Sequence, residues 1–396
     1  MIYFEISAPY ILYLFESHQK GILAPIDLRT TLLFTELQEN DKIELCFPDI
    51  YLIADVAVKE FLEFHYTCVE NMDIMLLHKK VLDLIKNARI DHSYAHEVFN
   101  KKYIQVFYFL LIYISYKENI KIKSFKISVS PKLKKEFVCP TSFTICLAAC
   151  FLQWSRVQKG IRNNFNCFDL ERIESYAALC QKIFPAECMK TNVTACTYGS
   201  MIKYLKKETE NIKVFYSMFA LPNVSILLVD TKQMYNSKAW NEGIKKFEKF
   251  EVVKSILNNL ENVMDDIFEA VYNLTVTFEN NKITLETRNN RFLEQHKELE
   301  ILIRENQRLL RLLDLKLLLN YNNVDKICSI VEKHGLSGRR IIIDDRFYFY
   351  IWYPENQYAP PNITCKLLSN ELKEHGFDVT ETNLASSGVK VRKLMS

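Results

Sequence analysis

Two histidines one helical turn apart, His92 and His96 in DHSYAHE, come nearest of any residues to the spacing of a metal site. On a helix an i, i+4 pair places both imidazoles on one side, the arrangement used by the H-E-x-x-H zinc motif. Ser93 stands where that motif has glutamate and no third ligand is spaced to join, so the pair reads as two surface histidines. Cys146 and Cys150 also lie one turn apart, and Cys180, Cys188 and Cys196 follow at eight-residue intervals. None forms a C-x-x-C pair, and buried thiols acting as small hydrophobes account for them. Asp230 ends the apolar run VSILLVD, where open α/β sheets place functional groups, but no glycine-rich turn follows it, and a strand-end residue is the reading. Asp265, Asp266 and Glu269 offer carboxylates for acid–base or cation chemistry, yet on an amphipathic helix a solvated acidic face is the ordinary account. The whole chain holds only 8 glycines. Phosphate loops and nucleophile elbows need glycine where backbone approaches a ligand, which argues against those enzyme classes. No residue is assigned as catalytic, cofactor-binding or metal-ligating, no cofactor is expected, and the reading leans away from an enzyme.

Binding chemistry is easier to locate. The segment RFYFYIWY at Arg346–Tyr353 is the strongest strand signal in the chain, and one of its faces carries Arg346, Tyr348, Tyr350 and Trp352. With Arg339, Arg340, Lys390 and Arg392 placed nearby, this becomes an aromatic platform flanked by cations. Such a platform stacks single-stranded nucleic acid at about 1–3 kcal/mol per base. The alternative is a strand sandwiched between two layers, because Phe347, Phe349 and Ile351 also need cover. A second basic stretch follows Tyr116, where Lys121, Lys123 and Lys126 alternate with isoleucines and belong either to a phosphate contact or to strand-edge protection.

The element that organises the rest is Arg291–Asn320. Every seventh residue gives Phe292, Leu299, Asn306 and Leu313 on one seam, with His296, Ile303, Leu310 and Leu317 on the next, the a/d pattern of a coiled coil. The segment is expected to serve self-association or a partner helix, with an intrachain link between body and tail as its rival. Ahead of it, Ala239–Tyr272 reads as one long amphipathic helix, and Leu274–Phe278 with Ile283–Leu285 as a hairpin around Asn280-Asn281. Behind it, a helix ending at Gly335 leads into a compact β-β-α-β-β unit. Ser142–Trp154 is almost wholly apolar, as a central helix must be, and VFYFLLIYISY at Val106–Tyr116 is too short to span a bilayer.

The fold class expected is α+β and helix-rich: a mixed globular body, one long coiled-coil-like helix and a small C-terminal β-β-α-β-β module. Its divisions fall at residues 1–138, 139–288, 289–334 and 335–396. Composition supports a folded chain, with 49% hydrophobic and 25% charged residues, and a net charge of +3 over 396 residues gives no global pull on nucleic acid. The N-terminus shows no secretory signal, so a reducing intracellular compartment, cytoplasm or nucleus, is expected rather than secretion. The strand IELCFPDI followed by the helix VAVKEFLEFHYT is similar to the BTB/POZ and Skp1-like adaptor fold over about Asp41–Arg89, and that resemblance implies a protein-recruiting adaptor. The function expected from the whole is a non-enzymatic, self-associating interaction protein, binding nucleic acid through the C-terminal sheet and the basic strand region. The adaptor and an enzyme without a recognisable motif are its alternatives.

Overall fold

The computed structural model describes residues 2–17, 20–38, 41–48, 52–69, 73–87, 89–91, 97–131, 139–185, 189–205, 218–219, 224–279, 285–343, 346–353, 363–384 and 387–393. His92, His96, Cys188, Lys132, Lys134, Lys135 and the Asn280-Asn281 turn lie outside them. The chain is a mixed α+β protein that forms two compact units, one of Met1–Ile11, Leu28–Gly199 and Ser387–Ser396, the other of Leu12–Asp27 and Ser200–Ser386.

The first unit is a sheet covered by helices. Its strands are the outer portions of β1 (Tyr3–Glu16) and β2 (Lys20–Glu36), with β3 (Lys42–Phe47), β4 (Leu52–Ala57), β5 (Arg89–Asp91), β6 (Phe125–Pro131) and β13 (Lys390–Lys393). They run in the order β13-β1-β2-β6-β3-β4-β5, with β3 and β6 parallel. The helices are α1 (Val58–Val69), α2 (Ile74–Asn87), α3 (Glu97–Glu118), α4 (Pro140–Gln158), α5 (Cys167–Ala178) and α6 (Lys190–Tyr198). As its composition requires, α4 is buried from Pro140 to Arg156, because a helix apolar all round has no face to give to water. Phe34, Phe125 and Trp154 meet at ring separations of 4.9–5.2 Å and pin α4 to the sheet. The run VFYFLLIYISY lies within α3 and is core apart from the half-buried Tyr113 and the exposed Tyr116, and no described helix is long and apolar enough to cross a membrane.

The second unit holds residues 12–27 of β1 and β2, with β7 (Met201–Leu205) pairing β2 and β8 (Met218–Phe219) pairing β7. A second, antiparallel sheet follows the order β10-β11-β9-β12, from β9 (Ser225–Met234), β10 (Ser337–Ile343), β11 (Arg346–Tyr353) and β12 (Asp378–Asn383). Its helices are α7 (Ser237–Phe247), α8 (Glu251–Glu279), α9 (Leu285–Lys316), α10 (Asn322–Lys333) and α11 (Ile363–Glu374). On one side of this sheet, Phe347, Phe349, Ile351 and Tyr353 pack with α10 and α11. On the other lies α9, whose Asn306 and His296 meet Arg339 and Trp352.

Several expectations change here. The long helix over Ala239–Tyr272 is two helices, α7 and α8, broken between Phe247 and Glu251. Leu274–Phe278 is not a strand but the last turns of α8: Val271, Leu274 and Thr275 stay on the buried side, and Thr275 Oγ1 donates to the Val271 carbonyl at 3.0 Å. A helix already propagating adds one bond per residue, which outweighs the β preference of a short Thr-Val-Thr run. The tail strands do not close on themselves. β9 inserts between β11 and β12, while β13 pairs β1 in the other unit.

The coiled-coil reading is overturned. α8 and α9 form an antiparallel pair within one chain, with Val253, Ile256 and Leu260 packed on Leu309, Leu310, Leu313 and Leu317. Leu299 and Ile303 are buried, Phe292 is partly covered, and Asn306 accepts from the buried Arg339 Nε at 2.6 Å. The heptad spacing is real, but a seven-residue repeat specifies an apolar stripe, not the molecule that covers it.

Candidate active-site floor in the first unit

The densest set of buried polar side chains in the first unit gathers where α4 begins. Pro140 occupies the first helical position, where its missing N–H would have had no helical acceptor anyway. Thr141, Ser142 and Thr144 follow, all buried. Ser142 Oγ donates to the Pro9 carbonyl at 2.7 Å, and Cys196 Sγ of α6 donates to the same oxygen at 3.1 Å. Pro9 sits in mid-strand with no N–H to give a ladder, while its carbonyl accepts from these two side chains. Cys146 Sγ, one turn along α4, donates to the Thr30 carbonyl at 3.4 Å.

A cation closes this floor. The buried Arg29 guanidinium donates from Nε to Ser7 Oγ at 3.1 Å, and from Nη2 to the Ser7 and Gly388 carbonyls at 3.0 and 2.6 Å. Its Nη1 reaches the Ser387 carbonyl at 2.8 Å. Gly388 is required at that position, because a Cβ there would lie 2.0 Å from the Thr197 carbonyl oxygen. Burial pushes the Cys146 and Cys196 thiols up, against a smaller lowering by Arg29, so both are neutral S–H donors rather than nucleophiles.

Beside it, α6 buries Thr191, Asn192 and Thr194 and ends at Gly199, in the left-handed conformation at φ 72°. Glu174 of α5 accepts from Thr194 Oγ1, and from Tyr198 OH at 3.2 Å. Burial first, and Glu174 second, push the Tyr198 hydroxyl up to about 12. The Ser142 hydroxyl, the two thiols and Arg29 hold the backbone around this point, and the feature suited to an anion is the positive end of the long buried helix α4. Among the described residues no three His, Cys, Asp or Glu side chains are grouped to hold a metal ion.

Little of this was selected from the sequence. Spacing does not reveal Ser142 and Cys196, which only the fold brings to the Pro9 carbonyl, or Arg29, which the fold brings to Ser7 of the same strand; polar residues interrupting the apolar run of α4 are the signal the sequence does carry. The residues that were selected lie elsewhere. Tyr348, Tyr350 and Trp352 are buried under α9, Arg346 is partly covered, and Arg339 and Arg340 are 4% and 5% exposed, so the aromatic platform does not exist as a surface. Lys390 and Arg392 are exposed on β13, opposite Ser7 and Glu5 of β1, in the other unit. Lys123 and Lys126 pair with Glu36 and Glu44, and the Lys121 backbone is held by Gln158. Asp230 is buried and caps its own turn, accepting from the Lys232 N–H at 2.8 Å where Lys232 has φ 54°. Asp265 pairs with Lys20 at 2.6 Å, and Asp266 and Glu269 are solvated.

No protein-family model matches the sequence, and no curated protein matches it. The fold, however, is that of the GHMP kinases. A mevalonate kinase structure superposes with a TM-score of 0.61 at 18% identity, covering 97% of this chain and 99% of that one. The Methanococcus jannaschii mevalonate kinase gives 0.59 at 18% identity over 96% and 98%. The mevalonate diphosphate decarboxylase of Staphylococcus aureus gives 0.51 at 9% identity over 99% and 98%. These matches correct the expected function. A fold matched over nearly the whole chain runs against the expected body, stalk and head for self-association or nucleic acid and against the BTB or Skp1-like adaptor; the strand and helix behind that resemblance are β3 and α1 of the first unit's sheet.

Proposed function

We propose that the protein is a small-molecule kinase, transferring a phosphoryl group from a nucleoside triphosphate to a hydroxyl group of a small metabolite. The observation that carries the reading is the match over 97% of this chain and 99% of a mevalonate kinase. Phosphoryl transfer asks a protein for positioning and electrostatics more than for covalent chemistry, so it needs no thiolate and no relay of side chains. The start of α4 supports it. Its first-turn N–H groups have no helical acceptor, its dipole points positive charge at whatever sits there, and Thr141, Ser142 and Thr144 are neutral hydroxyls that do not repel phosphate. Such reactions use magnesium ion to neutralise the phosphates. The described residues of this floor do not compose a magnesium site. The described cysteines are free thiols, which supports a reducing compartment.

Where α4 begins, the chain reads Cys139-Pro140-Thr141-Ser142, without a glycine to let backbone close on a phosphate. Nucleotide binding is therefore expected to be weak. Titration calorimetry of the full chain with ATP and magnesium, followed by ADP release over a panel of sugars and hydroxy acids, tests the reading. Saturable binding with hydroxyl-dependent ADP release is the expected result. A folded chain that binds no nucleotide at millimolar concentration refutes it.

A further inference from the structure

The second unit contains a cavity of about 590 Å³ that the phosphotransfer reading does not use. α7 roofs it with Trp240 and Ile244; Leu257, Leu260, Leu310 and Leu313 of the α8–α9 pair wall it; Arg339 and Arg340 of β10 line its floor. No residue of α7 is fully buried, and the helix is eleven residues long, so the roof is held by half-buried contacts alone. Elements of that kind open locally at low cost.

The floor has an unusual charge balance. Arg340 is neutralised by Asp314, with Nη2 at 2.8 Å from Oδ1, and sits over the Trp240 ring at 5.4 Å. Arg339 is equally buried but its donors go to neutral acceptors: Asn306 Oδ1 at 2.6 Å, the Leu14 carbonyl at 2.9 Å and the Glu16 carbonyl at 3.0 Å. Three of its five N–H groups are so used. Among the described residues no carboxylate stands within ion-pair distance of it, and Glu16 acts on it only through space. Guanidinium does not lose its proton in proteins, so a full positive charge remains in a low-dielectric setting, where an unpaired ion is costly. Next to it the Asn306 Nδ2 group is buried without an acceptor. The carboxylates that line the cavity are placed differently: Glu16 and Glu248 are exposed to solvent, and Glu261 is engaged by Ser17 Oγ at 2.9 Å and Lys20 at 3.8 Å.

We propose that this cavity binds a small amphipathic anion, its carboxylate or phosphate on Arg339 and its apolar body between Trp240 and the leucines of α8 and α9. An acceptor group there gives Arg339 the direct ion pair that the through-space action of Glu16 does not supply, while the leucine walls reward an alkyl or ring body. A free inorganic anion gains only the first contribution and a neutral lipid only the second. The site lies wholly within the second unit and stands whether or not the protein transfers phosphate.

Sodium octanoate is a suitable probe, with 1-octanol and sodium acetate as its two halves. Calorimetry on the full chain is expected to show saturable, near-stoichiometric octanoate binding, at least tenfold tighter than either half. Arg339→Gln is expected to lose that advantage over octanol. Because Arg339 also holds the β1–β2 turn region, Leu257→Trp provides an independent check: it fills the cavity without touching the guanidinium, and abolishes octanoate binding with the melting temperature retained. Octanol binding as tightly as octanoate, absent octanoate saturation, or unchanged binding in folded Leu257→Trp would each overturn the proposal.

Discussion

Leu313→Ala separates intrachain packing of α9 from an intermolecular seam. Leu313 is 1% exposed and packs with Leu309, Leu310 and Leu317 against Val253, Ile256 and Leu260 of α8. Truncating a leucine so placed removes its transfer energy and leaves a cavity that neighbouring leucines fill only in part, a cost of about 2–5 kcal/mol. The middle of that range applies, because both helices are also held partway along their length: α9 by the Arg339–Asn306 bond and α8 by the Lys20–Asp265 pair. At about 2–4 °C per kcal/mol for a unit of this size, a loss of about 3–4 kcal/mol lowers the melting temperature by about 6–16 °C. The assay is differential scanning fluorimetry at protein concentrations spanning two orders of magnitude. Intrachain packing gives a melting temperature independent of concentration in both proteins, with the same decrement throughout. An oligomeric seam couples stability to concentration by mass action. A wild-type melting temperature that rises with concentration, together with a decrement that shrinks on dilution, would refute the intrachain assignment.

Two further outcomes follow from groups buried in the second unit. Burial holds His296 down at about 4, against an ordinary value near 6.5, and its side chain is 3% exposed with Glu300 at 3.9 Å. A histidine kept neutral in the fold contributes stability that is complete above the unfolded value and is lost as pH falls from about 6.5 towards 4, by about 3 kcal/mol. Urea midpoints across that window check this, and His296→Gln is expected to flatten the slope; an unchanged slope contradicts it. Removing Arg340 leaves Asp314 buried without its partner, so Arg340→Ala is expected to cost about 3–5 kcal/mol in chemical denaturation, while Arg340→Met with Asp314→Leu recovers most of it. Equal losses in the single and double variants would show that packing, not charge, governs the site.

What the sequence determined by itself was local. The period of hydrophobicity placed α4, α9, α10, β3 and β11, and Gly335 marked a helix end, where the structure has it at φ 70°. Those features depend on neighbours within a few residues, which a single chain displays. The fate of each apolar stripe was not local. RFYFYIWY is apolar on both faces because α10 and α11 cover one side and α9 the other, and the sequence of β11 is the same whether helices or nucleic acid bases cover it. The heptads of α9 are likewise silent about whether α8 or a second chain completes them. Tertiary structure alone decided that β13 leaves the tail to pair with β1, and that Ser142 and Cys196 reach the Pro9 carbonyl while Arg29 reaches Ser7 of the same strand. Such sites are assembled by loop closure over long sequence separations, whose cost grows only slowly with length, so spacing along the chain carries almost no record of them.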